Sequence, residues 1–595
     1  MNDSSPVIFS RILARPDRAR CKENLKTAPK KLDAKKLVAK KPATKTTGLR
    51  YWMLRVLDEC DHVAADFSAD PVHDLRVALR RCRSLADGMI AMDPDPDWKA
   101  MKKAGKRLFQ RLGDLRDIQI MMEWIDQLHP ETVDKDNVAH VLLSTPHHAA
   151  SQEEENVTEP NPSAAEPSAE HAEEPHSTRD PAARALMEIL KGRELEQKRE
   201  ARAALEEFDQ KQWRQWSKSL PLRAAHIRPG SAVFKHLALD RFTAARALHT
   251  RALRNRSQVA FHTLRIGIKR FRYIVENFLP VEHKLWSNDL KHMQDLLGEV
   301  HDLDVLWATA LSCHTFPDEP SRQAWHARIL EERTKRIDEY RSATVGPDSL
   351  WNTWSAGLPQ GKQIQELATR RMKLWAKVLD PDFAHSERVA RFALELYDGL
   401  LKAGLFVVSE ASKGAPSNPR ASLYAAALLH DVGKFKGKKN HHKESLELIK
   451  KHGTPLGWKQ EDMNRAGLVA RFHDGALPTR SHKALRDLLP AEQKITIQLA
   501  AVLRLANALD VAHDGHIRKV QIENANGVSA NTKRVSGFLR KPTPLGKNEA
   551  LVIAAEGYTP TGPVAQTVAA ERYLLETVLR RPVIVKPMNP AASRS

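Results

Sequence analysis

Residues 73–83 read HDLRVALRRCR, and residues 262–272 read HTLRIGIKRFR. Both segments follow H-x-L-R-[VI]-x-[LI]-[RK]-R-x-R, and self-similarity at this separation predicts a duplicated half-domain. In a helix, positions i, i+3, i+7 and i+10 share one face, and in both copies they hold only histidine, arginine or lysine. Apolar residues at i+2, i+6 and i+9 occupy a different face. The two segments therefore predict amphipathic helices with one buried side and one cationic side.

These two cationic faces are called the basic stripes. Four cationic or protonatable groups along roughly 15 Å of helix repel one another, and a linear polyanion would neutralise them. A solvated charged face is the alternative for a single stripe, but its duplication in the same order favours a binding surface. The stripe residues are His73, Arg76, Arg80 and Arg83 in the first copy, and His262, Arg265, Lys269 and Arg272 in the second.

A second motif, L-G-[DE]-[LV]-x-D-[LI]-x-[VI], follows each stripe at residues 112–120 and 297–305. Its glycine predicts a close helix crossing or a bend. Its aspartate is expected to orient stripe arginines through charge-assisted hydrogen bonds. A lysine seven residues before each glycine is expected to add to the same basic groove. These residues are Lys106, Gly113 and Asp117 in the first copy, and Lys291, Gly298 and Asp302 in the second.

Composition limits the classes of function. The 595 residues include 94 Lys and Arg against 74 Asp and Glu, for a net charge of +20, which predicts attraction to polyanions. Aromatic residues make up only 6%, which disfavours a reader of single-stranded nucleic acid. The four cysteines are scattered without a C-x-x-C, which excludes a disulfide scaffold and favours a cytoplasmic protein. No apolar run is long enough to span a bilayer.

Composition also predicts the domain organisation. Residues 1–45 form a basic tail, since residues 1–50 hold nine lysines and five arginines against four acidic residues. A helical domain at 46–345 carries an acidic insertion at 145–181, and both the tail and the insertion are expected to be disordered. A linker at 346–364 and a second helical domain at 365–515 follow. Short strands near 519–527, 550–557 and 582–587 predict a small α+β appendage at 516–595, so the fold class is mainly α.

A second candidate site lies in the C-terminal half. Residues 421–435 read ASLYAAALLHDVGKF, which places His430 and Asp431 at the end of an apolar helix with Gly433 as its expected stop. Imidazole and carboxylate groups are common ligands of divalent metals, which activate water and polarise phosphoryl groups. Further histidines of this half are His385, His441, His442 and His473.

With both of its motifs present twice, the region of about 46–345 resembles the CHAD domain. That resemblance implies an all-helical bundle of two pseudo-symmetric halves around a basic groove that binds inorganic polyphosphate. It also implies that the eight stripe residues line the groove. Lys269 stands where the other half has Arg80, so it offers a point charge instead of a bidentate fork.

The region of about 370–590 resembles the HD superfamily and, more narrowly, the C-terminal region of the exopolyphosphatase/guanosine pentaphosphate phosphatase family. Residues 428–449 (LLHDVGKFKGKKNHHKESLELI) and 503–510 (LRLANALD) carry the likeness. The resemblance implies a divalent metal (Mn, Mg or similar) and a phosphohydrolase in which His430 and Asp431 are catalytic. The implied ligands are His385, His430, Asp431, His442, His473 and Asn507.

Two ligand positions stay open in this assignment. Asn507 stands where the HD signature has an aspartate, and Asp510, one turn further, is an alternative ligand. His441 is as good a candidate as His442. A lysine-rich loop beside the His-Asp pair gives phosphate binding a local basis, with an ordinary exposed loop as the alternative. Its members are Lys434, Lys436, Lys438, Lys439 and Lys443.

The predicted function is therefore polyphosphate binding coupled to metal-dependent phosphohydrolysis. A non-catalytic polyphosphate-binding scaffold, associated with polyphosphate granules, is the alternative. The chain contains no glycine-rich phosphate loop like those in the hydrolytic domain of the phosphatase family, which favours that alternative. Nucleic-acid binding is permitted by the charge but lacks a zinc finger or a convincing helix-turn-helix. A cyclic or alarmone nucleotide also stays open as the substrate.

Overall fold

The computed structural model describes residues 48–129, 180–406, 418–523 and 549–588. The described chain is mainly α-helical, as predicted, and carries one three-stranded sheet near its C-terminal end. The predicted basic tail and nearly all of the acidic insertion lie outside these residues. None of the described helices combines the length and apolar character needed to cross a bilayer.

The first helical block runs from Leu49 to Ala356. Its helices are α1 Leu49–Ala65, α2 Ala69–Ile90, α3 Pro96–Ala104, α4 Lys106–Leu128, α5 Pro181–Glu206, α6 Gln210–Ala224, α7 Ala232–Asn255, α8 Gln258–Phe278, α9 Pro280–Ser312, α10 Glu319–Thr344 and α11 Leu350–Ala356. The stripes lie on α2 and α8, as their spacing predicts. The apolar stripe-helix positions are fully buried in one core: Leu75, Leu79, Cys82, Leu264, Ile268 and Phe271.

Helices α2 and α8 pack against each other in the same direction. Arg81 forms an ion pair with Glu276, and the Asn277 amide donates to the Ser84 hydroxyl at 2.9 Å. Further along α2, Gly88 lies against the ring of Phe278. Because these contacts advance together along both helices, the two stripes run side by side towards the same end of the block.

Two predicted boundaries differ from the structure. The expected insertion extends two residues too far, because Asp180 accepts a hydrogen bond from the Ala183 amide at 2.9 Å and starts α5 at Pro181. The expected linker at 346–364 contains α11, and Trp351 and Trp354 of that helix are buried. Two tryptophans one helical turn apart bury enough apolar surface to fold a segment that its Gly, Pro and Ser content predicts as a linker.

The second helical block has its own core and ends in the sheet. Its elements are α12 Lys362–Leu379, α13 Phe383–Lys402, α14 Pro419–Leu429, a 3₁₀ turn Val432–Phe435, α15 His441–His452, α16 Gln460–Arg471, α17 Pro490–Leu509, β1 Lys519–Glu523, β2 Leu551–Glu556, α18 Pro563–Leu579 and β3 Val583–Pro587. Strand β2 is central, antiparallel to β1 (Ile522 opposite Ile553) and parallel to β3 (Ile553 opposite Val585). Helix α18 forms the crossover between β2 and β3.

The two blocks contact each other directly. His236 of α7 is fully buried, and its Nε2 lies 2.9 Å from the carbonyl oxygen of Leu456. The Arg371 side chain of α12 donates to the carbonyl of Ala91 at 3.3 Å. The second block is therefore held against the C-terminal end of α2.

Substituting Gly88 with alanine should destabilise the first block. A Cβ there would lie 2.2 Å from the buried Phe278 ring, so the parallel helices would have to separate. We expect a loss of about 1–3 kcal/mol, the usual cost of overpacking a core, measured by urea unfolding. Gly192→Ala on exposed α5 is the matched control, since a Cβ there meets nothing within 4 Å; equal stabilities would contradict the packing role of Gly88.

Candidate functional site

The stripes meet in a group of charged side chains that we call the basic centre. It consists of Arg76, Arg80, Arg265, Lys269, Asp117 and Asp302. Arg80 of α2 and Arg265 of α8 both act electrostatically on Lys269, and Asp302 acts on the same ammonium group. The fold thus brings residues of both predicted stripes, and both predicted aspartates, into one interacting group.

The arginines of the basic centre are incompletely paired. Arg76 donates to the carbonyl oxygen of Leu112 at 2.7 Å. The Nε atoms of Arg80 and Arg265 are buried and have no hydrogen-bond partner among the described residues. A buried N–H without an acceptor costs about 1–3 kcal/mol. An anionic ligand that reaches these groups would remove that cost.

The pKa values of the basic centre reflect its crowding. Burial lowers the pKa of Lys269 to about 7, and repulsion from Arg265 and Arg80 acts in the same direction. Burial raises the pKa of Asp302 to about 6, although Arg265 opposes the shift. The centre therefore gains positive charge as the pH falls through the neutral range.

At the N-terminal end of each stripe, the stripe histidine lies near a side chain of the second motif. Repulsion by Arg116 contributes to the lowered pKa of His73, after burial and Arg80. At the equivalent place in the other half, the Nδ1 atoms of His262 and His301 lie 3.3 Å apart. Arg116 and His301 occupy the same position of the L-G-[DE] motif, and aligning its two copies would have added both to the candidate residues.

The remaining stripe residues lie nearer the C-terminal ends of the helices. The Arg83 guanidinium lies 4.8 Å from the centre of the Phe109 ring and donates to the Lys102 carbonyl at 3.3 Å. Arg272 is partly buried on α8. The predicted Lys106 and Lys291 are exposed on α4 and α9. Helical spacing places each lysine on the face of its glycine and aspartate, so their part in the groove stays a prediction.

The glycines of the second motif differ from their expected role. A Cβ on Gly113 would meet the Arg76 guanidinium first, at 3.4 Å, and one on Gly298 would meet Arg265 Nε at 3.9 Å. Neither contact is a helix crossing, and α4 and α9 continue through both positions. The two glycines instead form equivalent flat surfaces on which the stripe arginines lie.

The second site is a group of buried side chains that we call the His–Asp cluster. It consists of His385, His430, Asp431, His441 and His473. His430 follows the last residue of α14, His385 lies in the first turn of α13, and His441 starts α15. The ligand atoms form two groups of three that share Asp431, and within each group they all lie within 4.8 Å of one another.

Backbone carbonyls orient three of the four histidines in the same way. The Nδ1 atom of His430 lies 2.7 Å from the Ala427 carbonyl oxygen, that of His473 lies 2.7 Å from Ala470, and that of His441 lies 3.0 Å from Lys438. Each acceptor precedes its histidine by three residues. An Nδ1–H held by a carbonyl leaves the Nε2 lone pair as the ligand atom, the usual arrangement around protein metals.

His385 reaches the same state through a carboxylate. Its Nδ1 lies 2.7 Å from Asp510 Oδ2, and Arg388 donates to the same carboxylate at 2.9 Å. Asp510 therefore orients His385 from behind, and the alternative in which Asp510 is a metal ligand is wrong. Asn507 Oδ1 lies 2.9 Å from His385 Nε2, on the side that faces the cluster.

The Asp431 carboxylate bridges the two groups. Oδ2 lies 3.4 Å from His430 Nε2 and 3.9 Å from His385 Nε2, whereas Oδ1 lies 3.3 Å from His441 Nε2 and 3.6 Å from His473 Nε2. Burial alone would raise the pKa of Asp431, but His430 and His441 hold it below its usual range. One carboxylate thus faces four imidazoles with its two oxygens.

The donor set fits a divalent metal. His430 Nε2 and Asp431 Oδ1 are buried and lack a hydrogen-bond partner in the part of the chain that the structure describes. His441 Nε2 and His473 Nε2 lie 3.0 Å apart, close to the spacing of two ligands on one ion with bonds of about 2.1 Å. Imidazole nitrogens and carboxylate oxygens are both common ligands of divalent metals in proteins.

One predicted ligand lies apart from Asp431. His442 forms a neighbouring group with His441 and Asp474, and its Nδ1 lies 3.7 Å from Asp474 Oδ2. His441 therefore takes the place beside His473 that the sequence assigned to His442. Adjacent histidines on a helix point about 100° apart, and the sequence gives no sign of which one faces inward. Asp474 was missed, although it repeats the His-Asp order directly after His473.

The lysine-rich loop divides into paired and exposed members. Lys434 forms an ion pair with Asp431, and Lys436 forms one with Glu444. Lys438, Lys439 and Lys443 are exposed. Lys434 is thus the loop residue that the structure brings to the cluster.

Gly433 has a packing role in place of its expected role as a helix stop. Helix α14 already ends at Leu429, and Gly433 lies within the 3₁₀ turn. A Cβ there would lie 2.1 Å from the carbonyl oxygen of His441, and the Gly433 amide donates to the Ser445 hydroxyl at 2.9 Å. This close approach holds the start of α15, and with it His441, against the His430–Asp431 turn.

Comparison with known families supports both halves of the assignment. Residues 53–311 match the family model of the CHAD domain, and residues 365–551 match that of the Ppx/GppA phosphatase, domain III. The chain is therefore similar to a CHAD domain followed by a Ppx/GppA-like domain, which confirms those two resemblances. The likeness to the HD superfamily stays a prediction. No curated protein matches the chain.

Substituting His441 should weaken metal binding more than substituting its neighbour. His441→Ala removes an Nε2 that faces Asp431, whereas His442→Ala removes a ring that faces Asp474. We expect Mn²⁺ affinity to fall at least about tenfold for His441→Ala, as for perturbed metal sites in general, and to change less than about threefold for His442→Ala. Calorimetric titration of metal-free protein measures both; equal losses would contradict the assignment.

Proposed function

We propose that this protein binds inorganic polyphosphate along the two basic stripes and hydrolyses its phosphoanhydride bonds at the His–Asp cluster with a divalent metal. The CHAD and Ppx/GppA matches support a polyphosphate-related phosphatase. The observation that carries the proposal is the basic centre, where the buried Nε atoms of Arg80 and Arg265 lack acceptors and repulsion contributes to the lowered pKa of Lys269.

A linear polyanion satisfies several needs of this surface together. Its closely spaced phosphate oxygens accept from the arginines and neutralise the repulsion that crowds Lys269. The parallel stripes on α2 and α8 place a cation at about every helical turn, so that a bound polyphosphate chain would have cations on both of its sides. Folded nucleic acid meets fewer of these needs, because its phosphates follow the outside of a wide helix.

At the His–Asp cluster, the chain's own residues supply position and charge. The carbonyls of Ala427 and Ala470 and the carboxylate of Asp510 fix the histidine rings. Lys434, paired with Asp431, holds an ammonium group beside the cluster, where it would stabilise negative charge on a phosphoryl oxygen. A divalent metal held by the cluster would lower the pKa of water and polarise the phosphoryl group. Asn507 would add a neutral amide oxygen to the His385 side of the ligand set.

A second candidate function is non-catalytic polyphosphate binding. Asn507 favours it, because an amide oxygen contributes no charge where the HD signature has a carboxylate. Asp431 is then the one carboxylate that serves both the His385–His430 group and the His441–His473 group. Its negative charge is partly neutralised by Lys434. The same residues support both functions, so turnover decides between them.

Phosphate release from long-chain polyphosphate in the presence of Mn²⁺ or Mg²⁺ should depend on Asp431. We expect Asp431→Asn to reduce release at least about tenfold while long-chain binding is retained, because it replaces the carboxylate shared by two ligand groups with a neutral amide, and perturbed metal sites typically lose about 10–100-fold in metal affinity or activity. Asp487→Asn is the matched control, since it makes the same carboxylate-to-amide change at an exposed position of the same block. It should leave phosphate release unchanged.

The Asn507→Asp variant extends this test. An added carboxylate on the His385 side should raise metal affinity and turnover if the site is active but weakened. Wild-type protein that binds polyphosphate with steep salt dependence but releases no phosphate with either metal would establish the non-catalytic alternative.

Affinity for long-chain polyphosphate should fall as the pH rises from about 6 to about 8.5. With a pKa of about 7, Lys269 is charged below neutrality and loses its proton above it, and Asp302 gains negative charge above about pH 6. Each proton taken up on binding contributes at most about tenfold per pH unit to this slope. Lys269→Arg, which stays charged, should flatten the part above pH 7 in calorimetric titrations; an unchanged profile would remove Lys269 from the binding surface.

A further inference from the structure

A cavity of about 660 Å³ lies between the two helical blocks. It begins where the stripes end, since Ser84 directly follows Arg83 and Tyr273 directly follows Arg272, and both line it. The Arg80 guanidinium lies 6.0 Å from the centre of the Tyr273 ring, which connects the basic centre to this wall.

Two residues of the opposite wall follow the His430–Asp431 pair closely along the chain. Phe435 and Lys436 line the cavity and directly follow Lys434, which is paired with Asp431. Trp375 of α12 and Lys451 of α15 complete this side. The lining therefore includes residues that neighbour both proposed sites along the chain: Ser84 and Tyr273 follow Arg83 and Arg272, and Phe435 follows Lys434.

Each carboxylate that lines the cavity forms an ion pair, although two of them share one guanidinium. Asp93 accepts two hydrogen bonds from Arg223, at 2.7 and 2.8 Å, and Asp95 lies 3.1 Å from the same guanidinium. Asp87 forms an ion pair with Lys102. The acidic side chains therefore do not compete for the other cations of the lining.

Several lining cations lack such a partner. Within the described ranges, no carboxylate lies within ion-pair distance of Arg241, Arg270, Arg371 or Lys451. Arg371 is partly buried, and its Nε donates to the Ala91 carbonyl. Burial lowers the pKa of Arg371; Asp240 opposes this shift, and repulsion from Arg241 acts in the same direction as burial. Like charges are thus gathered around a cavity of a size typical for ligand sites.

We propose that this cavity binds consecutive phosphate groups of a polyphosphate chain as it passes from the stripes to the His–Asp cluster. The inference rests on the proposed function for its direction, since it joins the two sites assigned there. Its ligand class, a short linear oligophosphate, follows from the unpaired cations alone. The ring of Phe435 lines the cavity and is 55% exposed. It carries no charged or hydrogen-bonding group that would compete with a phosphate chain for the lining cations.

The test uses the full chain with the basic centre disabled by Arg76→Ala and Arg265→Ala. In that background we expect tripolyphosphate to bind in calorimetric titrations at low salt. Adding Arg270→Glu and Lys451→Glu should weaken this binding at least about tenfold and lower the salt dependence by about two counterions. The matched control adds Arg251→Glu and Lys494→Glu, two exposed cations outside the cavity, and should leave binding unchanged.

Equal tripolyphosphate affinity in the cavity and control variants would overturn the inference. The glutamine variants Arg270→Gln and Lys451→Gln, which avoid charge reversal, repeat the comparison if the glutamate variants fail to fold. Tighter binding of ATP than of tripolyphosphate would also overturn a site for phosphate chains. These outcomes do not depend on turnover. A protein that releases no phosphate but loses tripolyphosphate binding only in the cavity variants would refute hydrolysis and retain the cavity site.

Discussion

The repulsion between cationic side chains at the α2–α8 contact is the constraint on which the first half depends. Burial of the apolar faces forces the two helices together, and their cationic faces then meet at Arg80, Arg265 and Lys269. Asp117 and Asp302 are too few to neutralise this group and also act on each other. Hydrophobic burial thus maintains a concentration of positive charge that the charges alone would disperse and that a bound polyanion would neutralise.

The His–Asp cluster follows a different rule, in which local backbone geometry orients the ligands before any ion binds. At His430, His441 and His473, the carbonyl three residues earlier accepts from Nδ1. Each histidine therefore carries its own orienting group within one turn of chain. Tertiary contacts orient the fourth histidine, His385, through Asp510. They also hold the loop around His473, where Arg504 donates to the carbonyls of Phe472 and Gly475.

Sequence reasoning predicted the mainly helical fold, and the structure places many of the residues that it named for each site near one another, because each depends on a periodic or adjacent pattern. Stripe spacing determines a helix face, and the His430–Asp431 pair needs no long-range information. The misassignments concern residues whose role depends on a neighbour distant in sequence. Asp510 was an alternative ligand until Arg388 and His385 were seen to hold it, and the choice of His441 over His442 depends on the rotation of α15 relative to Asp431. The tryptophans of α11 likewise outweighed a composition typical of linkers.

Charge balance connects the two halves. The His–Asp cluster offers four imidazole ligands but mainly one carboxylate, which Lys434 also pairs. Two divalent ions held there would leave a strong positive excess, and an entering phosphate chain is the anion that balances it. The basic centre and the inter-block cavity also carry an excess of positive charge, which there comes from arginine and lysine side chains. Under the proposed function, the stripes, the cavity and the cluster therefore all carry an excess of positive charge. A polyphosphate chain that extended from one block into the other would be attracted along its whole length.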